Sequence, residues 1–306
     1  MINYINYYYN IYPDSIHEQN KNYYFDYNSE KYYFIVFNRP LEDTNYLYEL
    51  NIEMIRRGSL VHELIENKDK TIITFVNDIP YVLMKIFINE NKKSDLAEIA
   101  FISMNNAYIK QNKILDRSDW VTLWSAKVDY FEYQISQVGK KYPLICEYFS
   151  YFLGLAENAI GYAKNTVDDL KSEYIPLTIA HKRIKEDDTL FEIYNPLSFI
   201  IDCQVRDIAE YIKAQLFNGN NPWPEIEQYF ISNDISIYNR RMLYARLLFP
   251  SSFFDVYEDI IDGKLIEKDI FKIIYKVDEY ESFLNEFYTY INRGHLMPKI
   301  DWLNKD

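Results

Sequence analysis

PLSFIIDCQVRDIAEYIKAQLF, residues Pro196–Phe217, carries two periodicities back to back. Pro196–Ile201 is a short apolar run that reads as a strand and ends at Asp202. From about Val205 the period changes, and Val205, Ile208, Ala209, Ile212 and Leu216 fall on one face of a helix that runs to Phe217. A strand that hands an aspartate to a following helix is the fragment around which the rest of the chain is arranged.

Downstream the pattern is helical. Arg240–Phe249 and Ser252–Ile261 read as two helices broken at Pro250, and Glu279–Arg293 as a last one closed by Gly294. Upstream lie candidate helices at Lys92–Tyr108 and Glu147–Lys164. A third, at Trp120–Val138, has Trp120, Trp124, Val128, Phe131, Ile135 and Val138 stepping by three or four, with Ser118 as its N-cap. The first part differs. Lys31–Asn38 (KYYFIVFN) is rich in aromatic and β-branched residues and reads as a strand. Asn45–Arg57 has helical spacing of Leu47, Leu50 and Met54 and stops at Gly58. Thr71–Val76 and Tyr81–Ile88 read as strands joined at Asn77-Asp78. A small sheet carrying one helix, then a larger helical part with a strand-Asp-helix insert, is the outline of an α+β, two-lobed protein-kinase-like fold. The β-rich N-terminal lobe is expected over residues 1–88 and the mainly helical lobe over 89–306.

Composition excludes several function classes. With 48% hydrophobic and 26% charged residues, the chain can bury a core and is not disordered. A net charge of −13 repels phosphate backbones, so nucleic acid is not an expected partner. No apolar run approaches the length of a membrane span, and Met1–Asn10 does not read as a secretory signal. Cys146 and Cys203 are isolated, which fits a reducing compartment and gives neither a disulfide nor a zinc framework. His17, His62, His181 and His295 have no ligand spacing. The 31 tyrosines fit either a surface suited to adhesion or oxidative cross-linking, or an AT-rich genome; plentiful Asn, Ile and Lys favour the second. Asp168-Asp169 and Asp187-Asp188 read as solvated acidic loops, and Asn220–Pro224 as a loop exposing Trp223.

Four segments carry a resemblance: YFSYFLGLAENAIGY (Tyr148–Tyr162), IIDCQVRDIAEYIK (Ile200–Lys213), RRMLYARLLFP (Arg240–Pro250) and MPKIDWL (Met297–Leu303). The chain resembles the YutH-type endospore-coat-associated family. That family belongs with the CotS-like spore coat proteins and, more distantly, with the aminoglycoside phosphotransferase and choline kinase superfamily. The resemblance runs in order over most of residues 30–303.

It implies a phosphotransferase scaffold, whose chemistry needs a lysine at the nucleotide phosphates, a helix glutamate, a catalytic aspartate with a nearby asparagine, and a metal-binding aspartate. The strand that would carry the lysine is YYFIVFN, which has none; Lys31 precedes it and Arg39 follows it. The helix glutamate would be Glu49 or Glu53. Lys85 comes after the helix, in the wrong order. At the catalytic loop, IAHKRI matches the family histidine with His181, but Arg183 stands where the catalytic aspartate belongs, and Asp188 where the asparagine belongs. A guanidinium cannot accept a proton at neutral pH. Asp202 matches the metal-binding aspartate and is equally readable as a helix cap or turn residue. Asp207 matches the acid that braces the catalytic loop, and an acid in the first turn also suits the helix dipole. No glycine-rich phosphate loop occurs.

The expectation is therefore a non-catalytic, pseudokinase-like protein, made in the mother-cell cytoplasm, deposited on the spore coat and bound to other coat proteins, with no cofactor. The alternative is a divergent small-molecule or protein phosphotransferase using ATP and magnesium, with Asp202 holding the metal. Arg183 is expected to pair with Asp202 or Asp207 as a structural remnant of the catalytic centre, so that Arg183→Ala would clearly lower the melting temperature.

Overall fold

The structure is a computed structural model, and residues 1–87, 91–106, 113–171, 177–292, 294 and 297–304 are described. In chain order the first elements are α1 (Ile2–Tyr9), β1 (His17–Gln19), β2 (Asn22–Tyr27), β3 (Glu30–Val36), α2 (Thr44–Arg56), β4 (Glu63–Ile65), β5 (Thr74–Val76) and β6 (Ile79–Ile86). Then come α3 (Leu96–Asn105), α4 (Trp120–Val138), α5 (Pro143–Asp169), β7 (Leu177–His181), α6 (Leu190–Ile193) and β8 (Phe199–Cys203). The chain closes with α7 (Arg206–Phe217), α8 (Trp223–Ser232), α9 (Ile237–Leu248), α10 (Ser251–Ile261), α11 (Phe271–Ile274) and α12 (Val277–Ile291). Two compact units result, one built chiefly of Met1–Asp95 with Asp187–Ile201, the other chiefly of Arg117–Glu186 with Asp202–Asp306. The boundary expected at residues 88 and 89 lies outside the described residues.

The first unit is an antiparallel sheet in the order β1-β2-β3-β6-β4, with β5 also on β6. β3, β5 and β6 thus share one sheet, Tyr33 opposite Met84 and Thr74 opposite Tyr81. Three of its hairpins turn on two residues with positive φ: Asn20-Lys21, Asn28-Ser29 and Asn77-Asp78. That is the turn whose twist matches paired strands, and asparagine tolerates it best after glycine. α1, β1 and β2 all lie within the first 30 residues, from which the sequence reading drew no element. Ile5 and Ile11 bury one sheet face together with Phe25, Phe34 and Leu83. On α2, Asn51 is fully buried; it donates to the carbonyl of His62 (2.7 Å) and accepts from the Leu64 N–H (2.9 Å), holding the edge strand β4.

In the second unit the amphipathic stripes close on one another through aromatic stacks. Trp124 lies 4.5 Å from Phe249, Phe131 4.6 Å from Phe254, and Phe152 3.9 Å from Phe253, ring centre to ring centre. α4 spans the residues expected, but its cap is Asp119, which accepts from the Thr122 N–H, and not Ser118. Trp223 opens α8 and packs on Phe283, Phe287 and Tyr290, so the exposed loop expected there is a half-buried helix start. Pro196–Ser198 forms a tight 3₁₀ turn before β8, and Asp202 sits inside β8 and not beyond its end. Among the described residues no helix is long and apolar enough to cross a membrane.

Candidate functional site: a closed kinase-like centre

In the second unit, β7 ends at His181, and α7 starts just after Asp202. Asp207, in the first turn of α7, reaches back to the loop. Its two oxygens accept from the His181 main-chain N–H at 3.0 and 3.1 Å, and Oδ2 lies 2.6 Å from the His181 Nδ1. Both side chains are 2% exposed. The loop carrying His181 is thus fixed by one acid through backbone and ring together.

Asp202 is fully buried, and both oxygens of its carboxylate accept hydrogen bonds. Oδ1 accepts from the Trp120 indole N–H (2.8 Å) and the Cys203 N–H (2.7 Å), and Oδ2 accepts from the Arg206 guanidinium (2.8 Å). Burial pushes the Asp202 pKa up, while Arg206, Arg246 and the Cys203 N–H pull it back down. Arg206 also donates to the carbonyls of His181 (3.1 Å) and Lys182 (3.2 Å). Burial alone would lower its pKa, but Asp202, Glu210 and Asp207 outweigh that and raise it.

Behind this pair the charges continue. Glu210 accepts from Lys213 (2.8 Å) and from Arg246 (2.9 Å). The Lys213 ammonium further donates to the Ser251 hydroxyl (2.6 Å) and the carbonyl of Arg246 (3.1 Å), across the α9–α10 corner at Pro250. The Arg246 guanidinium lies 5.1 and 5.5 Å from the ring centres of Trp120 and Trp124. Burial lowers the Lys213 pKa to about 8, against the pull of Glu210. Three acids (Asp202, Asp207, Glu210) and three cations (Arg206, Lys213, Arg246) are buried together, with His181 against Asp207.

Arg183 is elsewhere. It is half-exposed, and its guanidinium donates to Asp255 at 2.6 Å. The pair lines an open polar groove of about 540 Å³ shared with Tyr130, Gln134 and Glu258. The ion pair expected at Asp202 exists, but its cation is Arg206. Arg183 is pulled outward by Asp255, whose own pKa burial raises against the opposing Arg183 and Lys127.

A magnesium ion held by Asp202 would need free oxygens, since that ion takes near-octahedral oxygen ligands. Both Asp202 oxygens already have protein donors, and a guanidinium stands against Oδ2. The residues present do not fit the ion. Among the described residues no three of His, Cys, Asp and Glu group closely enough to hold a metal.

In the first unit, most of the other residues considered from the sequence are engaged in contacts of their own. Lys85 pairs with Glu30 across β6 and β3. Lys31 lies 5.6 Å from the Tyr33 ring centre and 5.9 Å from that of Tyr24. Glu53 pairs with the exposed Arg57, and Glu49 is exposed. The Arg39 side chain, only 3% exposed, holds Asp43 (2.7 Å) and the carbonyls of Leu197 and Phe199. The β1–β2 connection is the tight Asn20-Lys21 turn, where protein kinases place a glycine-rich loop over the phosphates. Cys203 is buried, its thiol pushed up to about 12 by burial; Cys146 is exposed.

The family profile described as "Spore coat putative kinase YutH" matches residues 2–287. The chain belongs to this family. The endospore coat-associated protein YutH of Bacillus subtilis (strain 168) is 29% identical over 210 residues, 61% of each chain. The chain thus spans about 61% of that relative's length. The fold is that of the aminoglycoside phosphotransferases. An aminoglycoside phosphotransferase of Alicyclobacillus acidocaldarius superposes with a TM-score of 0.69 at 9% identity, covering 92% of this chain and 93% of that one. The AMP-bound spectinomycin phosphotransferase superposes at 0.57 and 12% identity, covering 90% and 93%. At such identities the likeness concerns the fold.

Arg206, Glu210, Lys213 and Arg246 were not singled out from the sequence, and Trp120 was read only as part of an apolar helix face. A signal was present: α7 carries Arg206, Asp207, Glu210 and Lys213 on a helix whose apolar residues already require burial.

Proposed function

We propose that this family member is a non-catalytic kinase-like protein of the spore coat, acting by binding other coat proteins after synthesis in the mother cell. The observation that carries this reading is the state of the two positions that chemistry depends on. Asp202 has both oxygens bound by protein donors, and the position of the proton-accepting aspartate holds Arg183, a group that cannot accept a proton. The coat role is supported by the family description and by the name of the Bacillus subtilis relative.

The second reading is a divergent ATP- and magnesium-dependent phosphotransferase. It is favoured by the Asp207–His181 brace, which holds the catalytic loop as an active enzyme would. Thermal melting with ATP and magnesium separates the two. A ligand at 100 times its dissociation constant adds roughly 2.7 kcal/mol to stability, a shift easily read. No shift is expected. A magnesium-dependent shift that vanishes in Asp202→Asn would replace the first reading with the second.

A further inference from the structure

We propose that the outer face of α4 docks a basic amphipathic helix of a partner protein, which rests on the binding role proposed above. The core needs only one face of α4, where Trp120, Trp124, Val128 and Phe131 are buried. A second row runs down the opposite side. Asp119, Leu123, Ala126, Tyr130, Tyr133 and Gln137 step alternately by four and three, the spacing of a coiled-coil seam. All six are exposed, Leu123 by 43%, Tyr130 by 54% and Tyr133 by 66%. A single exposed apolar residue is ordinary on a protein surface. Leu123, Ala126, Tyr130 and Tyr133 in register along one helix make a face that the fold itself does not use.

Charge selects the occupant. The acids of this helix and its cap, Asp119, Asp129 and Glu132, are all exposed. Its one basic residue, Lys127, is drawn aside to Glu258 at 3.2 Å. Lys140 and Lys141 lie past the helix end. Beside the row runs the polar groove described above; Tyr130 belongs to both, and Asp255, Glu258, Asp259 and Asp262 line the groove with Lys185. The other groove cations are committed, Arg183 to Asp255 and Lys264 to Asp259 and Asp262. A helix that lays its own apolar seam on residues 123–133 brings its flanking side chains to Asp129 and Glu132 on one side and to the groove acids on the other. Lysine or arginine suits both flanks. A second copy of this chain does not, because each copy carries a net charge of −13 and would set acids against acids.

The test uses the full chain and a synthetic helical peptide of a few heptads, with leucine at a and d and lysine at e and g. A twin peptide carries glutamate at e and g. The lysine peptide is expected to bind, and the glutamate twin to bind at least about tenfold more weakly, with the gap narrowing in high salt. Tyr130→Ser/Tyr133→Ser leaves every charge in place and should weaken the lysine peptide by about tenfold or more, while melting like the parent. Leu123→Ser, at the other end of the row, should weaken it too. Phe101→Ser removes a ring that is 59% exposed on α3, away from the row, and should bind like the parent. Absence of binding, equal binding of the two peptides, or equal binding by parent and Tyr130→Ser/Tyr133→Ser overturns the docking surface. So does a parent that sediments as a dimer and becomes monomeric in that variant. None of these outcomes touches the non-catalytic reading, which melting with ATP and magnesium decides.

Discussion

Two arginine–aspartate pairs of equal chemistry sit in the second unit with opposite surroundings. Arg206–Asp202, at 2.8 Å, has side chains 8% and 0% exposed; Arg183–Asp255, at 2.6 Å, has side chains 48% and 35% exposed. By distance the outer pair is the better one. By the cost of losing one partner the order reverses, because water solvates a charge left alone in the outer pair and cannot reach one left alone in the inner pair. The residue whose identity argues most directly against phosphoryl transfer, Arg183, therefore contributes little to the fold. The residue that closes the centre, Arg206, holds it together.

Breaking the inner pair gives the largest effect. Asp202→Ala strands the Arg206 guanidinium, leaves the Trp120 N–H without its acceptor and opens a cavity. Loss of one partner from a buried pair costs about 3–5 kcal/mol. The expected outcome in urea is a midpoint lowered with unchanged slope. Equal midpoints for Asp202→Ala and the parent would show that burial does not separate the two pairs.

The inner set also sharpens the comparison through pH. The Lys213 pKa is lowered to about 8 in the folded chain, below its unfolded value near 10.5. From about pH 8 to 10.5 the unfolded chain holds the extra proton, so the penalty for burying the ammonium is relieved and stability rises. Tyrosines work in the opposite sense. Burial raises Tyr9 to about 12 and likewise pushes up Tyr151, Tyr162 and Tyr244. Their stabilising contribution is present below pH 10 and is lost as pH rises through the folded values. Urea midpoints should rise from pH 7 to a maximum near pH 9–10 and fall beyond it. Lys213→Met should flatten the rise and keep the fall. A parent that weakens steadily from pH 7 would contradict the position assigned to Lys213.

The sequence made the fold readable where periodicity is set by one buried face. Lys31–Asn38, Asn45–Arg57 and Trp120–Val138 are such segments, and each forms the element read from it. It hid elements whose burial depends on distant partners. α1 and β2 are Tyr- and Asn-rich, β1 is the polar His17-Glu18-Gln19, none shows apolar alternation, and this region folds because Ile5, Ile11 and Phe25 meet Phe34 and Leu83 across the sheet. At the site, Asp202 and Asp207 were readable because each occupies a fixed place in the strand-Asp-helix fragment, and His181 because IAHKRI resembles the family's catalytic loop. The partner of Asp202 was not. Choosing between Arg183 and Arg206 turns on where Asp255 lies, 72 residues from Arg183 along the chain. Arg206 and Asp202 are four residues apart, but a strand-to-helix joint gives no i,i+4 rule by which to pair them.

The smallest effect is expected at Arg183, contrary to the sequence expectation. Its guanidinium is half in water, and exposed pairs of this kind contribute about 0.2–1 kcal/mol. Arg183→Ala also releases Asp255, but that carboxylate keeps Lys127 at 4.0 Å and some solvent, so no charge is stranded. The expected melting shift is a few degrees at most, and it should shrink further in high salt, where screening removes what attraction remains. Arg183→Asp places two carboxylates side by side and should melt slightly lower than Arg183→Ala, the difference again closing with salt. Neither variant is expected to turn over ATP. Restoring a proton acceptor at position 183 leaves Asp202 bound to Trp120, Cys203 and Arg206, and leaves Lys85 paired to Glu30. ATP turnover by Arg183→Asp would mean that the inner pair opens on its own, and that the contrast between the two pairs describes only one state of the molecule.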